Sequence, residues 1–237
     1  MEIGKLCDAL VDWLKEKVEE AGARGAVFGL SGGIDSAVVG VLCKKAFNEN
    51  CLGLILPCYS NPRDEEDAVK VAEKFKIPYK KIVLNSVFDE FITILDKSDN
   101  KMIVANIKPR LRMITLYYYA ALNNYLVVGT GNKSELTVGY FTKYGDGGVD
   151  LLPLGNLVKK QVRDLALYLE IPREIIEKAP TAGLWEGQTD EGEMGLTYEE
   201  LDEYILTGIA RPEIEEKIKS MNRKSEHKRR LPLKPPF

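Results

Sequence analysis

The sequence contains one histidine, His227, and four cysteines, Cys7, Cys43, Cys51 and Cys58, no two of which form a C-x-x-C pair. That spacing excludes the zinc-knuckle and thioredoxin-like readings. Cys43 and Cys51 sit in apolar segments, where small core hydrophobes in a reducing compartment are expected. No uninterrupted apolar run approaches the ~20 residues that a membrane span needs. The first stretch, MEIGKLCDALVDWLKEKVEE, is acidic and amphipathic. It lacks the basic n-region of a signal peptide, so a cytoplasmic location is expected. The formal charge of −3 leaves no chain-wide basic field for nucleic acid, although the last stretch is locally basic. There is no internal repeat and no long low-complexity linker.

What remains is an ordinary globular composition: 237 residues, 45% hydrophobic and 29% charged. That is enough for one sizeable core. The pattern alternates helix and strand. Ile3, Leu6, Leu10, Trp13, Leu14 and Val18 recur near helical spacing over 2–22, and Gly22 ends the run. GAVFGL at 25–30, CLGLILP at 51–57, YKKIVL at 79–84 and YLVVGT at 125–130 read as strands. Helices are expected at 35–47, 62–76 (with Pro62 in its first turn), 86–97, 101–123, 158–170 and 197–206. Such spacing predicts an α/β fold, a doubly wound parallel sheet with helices on both faces. Its ligand site is expected outside the C-terminal strand ends, at a topological switch point. Residues 139–150 are glycine-rich and expected to form a mobile loop. Residues 180–195 hold four glycines and a proline, which suggests a long functional lid. The prolines in EHKRRLPLKPPF exclude regular helix there.

Ser31-Gly32-Gly33-Ile34-Asp35-Ser36 follows the first strand. Two glycines let backbone N–H groups point inward, and the next helix adds its positive end, which together make an anion cradle. Asp35 fits a phosphate site if Mg²⁺ stands between carboxylate and phosphates. No lysine follows the glycines, so this is not a Walker A loop, and Gly29, Gly32 and Gly33 do not make the dinucleotide fingerprint. The plainer reading is a tight turn with Ser36 or Asp35 as helix cap.

The S-G-G-x-D-S loop resembles the pyrophosphate loop of the N-type ATP pyrophosphatases. Within that superfamily, ANIKPRLRM at 105–113, GTGNKSELTVGYFTKYGDGGVDLLPLGNLVK at 129–159, KAPTAGLWEGQTDEGEMGLTYEELD at 178–202 and EHKRR at 226–230 are similar to NAD synthetase. The likeness covers nearly the whole chain, and implies an adenine nucleotide alpha hydrolase-like fold. It implies one domain over 1–237, with a core at about 24–180, a mobile loop at 180–195 and a helical C-terminal tail. Ile34 stands where many relatives have glutamine.

The resemblance implies an ATP-dependent ligase that amidates deamido-NAD through an acyl-adenylate. ATP would meet Gly29, Leu30, Ser31, Gly32, Gly33, Ile34, Asp35, Ser36, Thr130, Lys159 and Thr181. Deamido-NAD would meet Arg110, Lys143, Asp150, His227 and Lys228, with the tail folded back over the site. Mg²⁺ would be held by Asp35 and Glu135, two hard oxygen ligands. Asp35 and Lys159 would position the reactants, with no residue acting as acid or base. In an unrecognised sequence, Glu135 reads equally as a helix-start carboxylate, and Lys143 and Lys159 as solvated cations. Arg112 is left as a salt-bridge or interface residue. The LYYY run at 116–119 is assigned partly to the interface of the homodimer that the resemblance implies. About two dozen residues precede the first strand, too few for an amidase domain, so the expected nitrogen donor is free ammonia unless a separate subunit supplies it. Nucleic acid and membrane are not expected partners. A ligase acting on tRNA and a nucleotide-binding module without chemistry are the competing readings. The balanced charge and the absence of C-x-x-C argue against the first, and joint retention of Asp35, Glu135, Lys159 and Thr181 against the second.

Overall fold

The computed structural model describes residues 2–185 and 187–237; residue 186, within the expected lid, lies outside the described residues. Helix α1 (Ile3–Glu20) is amphipathic, burying Cys7, Val11, Leu14 and Val18. It leads into β1 (Gly25–Gly29), apolar on both faces as a central parallel strand must be. The chain continues through α2 (Ile34–Phe47), β2 (Cys51–Ile55), α3 (Pro62–Lys74), β3 (Tyr79–Lys81) and α4 (Asn85–Thr93). Then come α5 (Lys101–Ala105), α6 (Ile107–Asn123) and β4 (Tyr125–Val127). The four strands are parallel in the order β3-β2-β1-β4. The chain therefore leaves β1 towards β2 and later returns to its other side with β4, which makes the β1/β4 boundary the switch point.

One face of the sheet is covered by α1, α2, α3 and α8 (Lys159–Tyr168), whose Leu14, Leu42, Val71 and Leu165 share a core with Phe28. On the other face, Phe88 of α4 and Ala120 of α6 pack over Val27 and Leu54. A third cluster joins α7 (Lys133–Val138), the segment after α10 (Asp190–Met194), α11 (Tyr198–Thr207) and α12 (Pro212–Lys224) around Leu201 and Ile218. Short α9 (Arg173–Ile176) and α13 (Glu226–Arg229) complete the elements.

The elements differ from expectation mainly at their ends. β1 stops at Gly29, β3 at Lys81 and β4 at Val127, before the loops that build the site. The helix expected over 101–123 breaks at Asn106 into α5 and α6, and α4 ends at Thr93. Residues 180–195 contain the one-turn α10, capped by Thr189, whose hydroxyl accepts the Gly192 N–H at 3.2 Å. The expectation of no helix in 226–237 needs correcting: α13 completes one turn at Arg229, before the first tail proline, Pro232, can interrupt it. In the C-terminal region, where the resemblance implies a helical tail without giving its bounds, Pro212 at the first turn starts α12, and Ile214 and Ile218 bury one face.

Candidate active site

Two turns meet at the switch point. In the first, the Ser31 hydroxyl donates to Ser36 Oγ at 3.0 Å, and Ser36 donates to the Gly33 carbonyl at 2.9 Å. The Ser31 and Gly33 N–H groups donate to Ser36 Oγ (3.1 Å) and Ser31 Oγ (3.3 Å). The hydroxyls expected to face phosphate thus hold the loop's shape. Gly32 has φ +78°, and a Cβ there would lie 2.1 Å from the Asp64 carbonyl oxygen, so only glycine fits. Lys178, at the start of the lid segment, secures this turn: its ammonium donates to Asp64 (2.5 Å), to the buried Asp67 (2.8 Å) and, at 3.4 Å, to the Gly32 carbonyl.

The second turn leaves β4 and enters α7 through a capping box. Asn132 Oδ1 accepts the Glu135 N–H at 3.0 Å, and Glu135 Oε2 accepts the Asn132 N–H at 3.1 Å. The same Asn132 side chain donates to Asp35 Oδ1 at 3.0 Å, binding the two turns together.

Lys159 stands between them. It is 2% exposed, and its Nζ lies 2.5 Å from Asp35 Oδ2 and 3.5 Å from Glu135 Oε1. A lysine at a helix start opposes the helix dipole; here the two carboxylates compensate it. Ser134 Oγ accepts the Lys159 N–H (3.1 Å) and Asp202 accepts the Lys160 N–H (2.8 Å), anchoring the start of α8. Burial opposes the charge on Lys159, yet Asp35 and Glu135 hold its ammonium above the usual lysine range. Burial and the neighbouring Asp35 push the Glu135 carboxyl up, while Lys159 pulls it down. Tyr198 donates to Asp190 Oδ2 (2.9 Å), its hydroxyl also lies 3.3 Å from Glu135 Oε1, and burial holds its phenol protonated.

These groups open on a cavity of about 620 Å³. Of the residues singled out in the sequence, Gly29, Leu30, Ser31, Gly33, Ile34, Asp35, Ser36, Thr130, Glu135, Lys159, Thr181 and Lys228 line it. Gly32, Arg110, Lys143, Asp150 and His227 do not. Arg110 donates to the Lys143 carbonyl (3.3 Å), Lys143 to the His227 carbonyl (2.6 Å), and Asp150 accepts from Tyr117 (2.9 Å) and from the Val127 N–H (2.8 Å). The tail does fold back: Lys228 donates to the Gly139 and Phe141 carbonyls, each at 2.8 Å.

Sequence reasoning passed over Lys178, Asp146 and Asp190, which also line the cavity. Nothing local in the sequence marks them, since each is an ordinary charged residue in a loop or short helix. Arg112 needs a correction. It lines the cavity, donating to the Leu56 carbonyl (3.0 Å) and Ser60 Oγ (3.2 Å), and among the described residues it has no ion-pair partner.

The family model described as NAD synthase matches residues 6–232. The chain belongs to this family. It is 56% identical over 232 residues to the NH(3)-dependent NAD(+) synthetase of Carboxydothermus hydrogenoformans, covering 96% of each chain. Among solved structures, an NMN synthetase from Francisella tularensis overlays with TM-score 0.96 at 41% identity, with both chains fully covered. An NH3-dependent NAD synthetase from Campylobacter jejuni overlays with TM-score 0.83 at 36% identity, with 99% of each chain covered. The fold is the adenine nucleotide alpha hydrolase-like fold of these relatives, and membership makes the chain a carbon–nitrogen ligase that uses ATP.

Proposed function

We propose that the chain converts deamido-NAD to NAD⁺ with ATP and ammonia, the last step of NAD biosynthesis, in one domain over 1–237. The observation that carries this reading is the meeting of the Ser31–Ser36 cradle with Asp35, Glu135 and Lys159 at one cavity. Its volume falls in the usual range for small-molecule sites, about 300–1,000 Å³. A carboxylate resists attack by ammonia because its oxygen is a poor leaving group. Attack of that carboxylate on the α-phosphorus of ATP releases pyrophosphate and makes the oxygen part of AMP. Ammonia then displaces AMP. The protein's share is positioning, charge neutralisation and exclusion of water. Ser31–Ser36 cradles the departing pyrophosphate, Lys159 offers a cation beside it, and Thr130 and Thr181 line the nucleotide's side. Residues 139–150 and 180–195 are the natural covers that keep the adenylate from water. Lys228, with Arg110, Lys143, Asp150 and His227 around the tail, forms the acid substrate's end.

Asp35 and Glu135 fit Mg²⁺. The two carboxylates already flank one cation from the first turns of two helices, and Mg²⁺ is usually held by one or two carboxylates plus substrate phosphates. When bound it would neutralise charge on the polyphosphate.

The test is incubation with deamido-NAD, MgATP and either ammonium chloride or glutamine. NAD⁺ and AMP with ammonium, and none with glutamine, is the expected result; no NAD⁺ under either condition overturns the reading. The close overlay with the Francisella NMN synthetase favours a second acid, the mononucleotide counterpart of deamido-NAD. Comparing kcat/KM for the two acids under the same conditions decides between them.

A homodimer is part of the proposal. Ile114, Tyr118 and Leu122, spaced four apart on α6, are 60%, 63% and 63% exposed, an apolar stripe that a second copy would cover. The double substitution Tyr118→Glu and Leu122→Glu is expected to halve the mass seen by light scattering; an unchanged mass removes this face from the interface. The proposed location is the cytoplasm, where the four free, buried cysteines remain reduced. Among the described residues no helix is long and apolar enough to cross a membrane.

A further inference from the structure

Three carboxylates converge on Lys159. Asp35 and Glu135 reach its ammonium directly, and the third, Asp190, arrives on the lid helix α10. Asp190 is only 5% exposed and faces the cavity; Tyr198 occupies its Oδ2, while its Oδ1 is buried with no hydrogen-bond partner among the described residues. Tyr198 also places its ring under the ammonium, 5.0 Å from Nζ to the centroid. Among the described residues, no three acidic, histidine or cysteine side chains stand in an arrangement that could hold a metal ion. A side chain is the cation here, and it sits on the oxygens that the proposed function gives to Mg²⁺.

An ammonium and a divalent cation compete for those oxygens. Each carboxylate lone pair taken by Lys159 is withdrawn from the metal, and two cations a few ångströms apart in a partly buried site repel strongly. The lysine has somewhere to go only when phosphate is present. Its stem is flexible, and Asp35 belongs to the Ser31–Ser36 cradle, so an anion held there would draw the ammonium away from the carboxylate. We propose that Lys159 is a resident counter-cation that keeps Mg²⁺ off Asp35 and Glu135 in the nucleotide-free protein and yields those two carboxylates when nucleotide phosphate arrives. Lys159 is then a positioning residue twice: it keeps the empty carboxylate cluster from collapsing or repelling, and it makes metal binding conditional on nucleotide. By linkage the nucleotide and the metal each tighten the other.

The proposal rests on the ligase reading for the identity of the phosphate ligand, but its test uses no acid substrate and so fails or succeeds separately. MnCl₂ alone, without nucleotide, is titrated into wild type and Lys159→Met by calorimetry and by electron paramagnetic resonance. Wild type is expected to bind weakly, and K159M at least tenfold more tightly, because the occupant has been removed. In thermal unfolding, K159M is expected to gain stability from MgCl₂ alone while wild type does not. Lys159→Arg, which keeps the charge, is expected to behave like wild type. If K159M folds only when MgCl₂ is added, the metal has replaced the lysine's charge and the proposal stands. Equal metal affinity in wild type and K159M overturns it. So does tight binding of MnCl₂ alone to wild type, below about 0.1 mM, a measurement that needs no variant.

Discussion

Asp35→Asn is expected to lower ATP–pyrophosphate exchange at least about tenfold, equivalent to ~1.4 kcal/mol of lost transition-state stabilisation. The substitution preserves shape and removes one charge. In the native site, Asp35 accepts from Lys159 through Oδ2 and from Asn132 through Oδ1, so both of its oxygens face donors. An asparagine amide presents one NH₂ group, which must point at one of those donors. The β1 and β4 turns would therefore loosen where they meet, and the metal would lose a ligand. The measurement is pyrophosphate exchange in the presence of the acid substrate, with thermal unfolding alongside to separate misfolding from lost chemistry. Wild-type exchange in a folded D35N protein would remove Asp35 from the metal site.

The second large effect is expected from the tail. Truncation before Ser225 should raise KM for the acid substrate at least about tenfold, again ~1.4 kcal/mol, with a smaller change in KM for ATP. The tail clasps residues 139–150 through the two carbonyls held by Lys228 and through Lys143, which donates to the His227 carbonyl. Arg229 adds bonds to the Leu136 carbonyl at 3.0 Å and the Asn222 carbonyl at 2.6 Å. The fit is close: at Gly139, with φ +71°, a Cβ would lie 2.0 Å from Ser225 Cβ. Among the described residues, the Ser31–Ser36 turn makes no hydrogen bond with the tail, which is why the two KM values should separate. An unchanged KM for the acid would leave His227 and Lys228 without a substrate role.

Much of this architecture was legible in the order of residues. The apolar runs at 25–30 and 51–57, separated by a largely apolar helix, dictate parallel strands joined by a crossover, because no shorter path connects parallel strands. Ser31–Ser36 announces a phosphate-sized turn through its glycines, and the Gly32 contact with Asp64 shows why they are needed. The long blocks at 129–159 and 178–202 pointed to the family, and Asp35, Glu135, Lys159 and Thr181 all reach the cavity that the strand order predicts.

Chain order alone determined the alternation of strand and helix, the family and the turn that cradles phosphate, because each depends on neighbours within a few residues or on a long continuous match. Tertiary structure alone decided which charges meet. Lys159 is 124 positions from Asp35 and Lys178 is 111 from Asp67, yet both pairs lie within hydrogen-bond reach. Helix α8 could as easily have shown Lys159 to solvent. Packing of its Val162 and Leu165 into the core against α2 and α1 turns that lysine inward. Once it is buried, the cost of an unpaired charge requires the carboxylates that surround it.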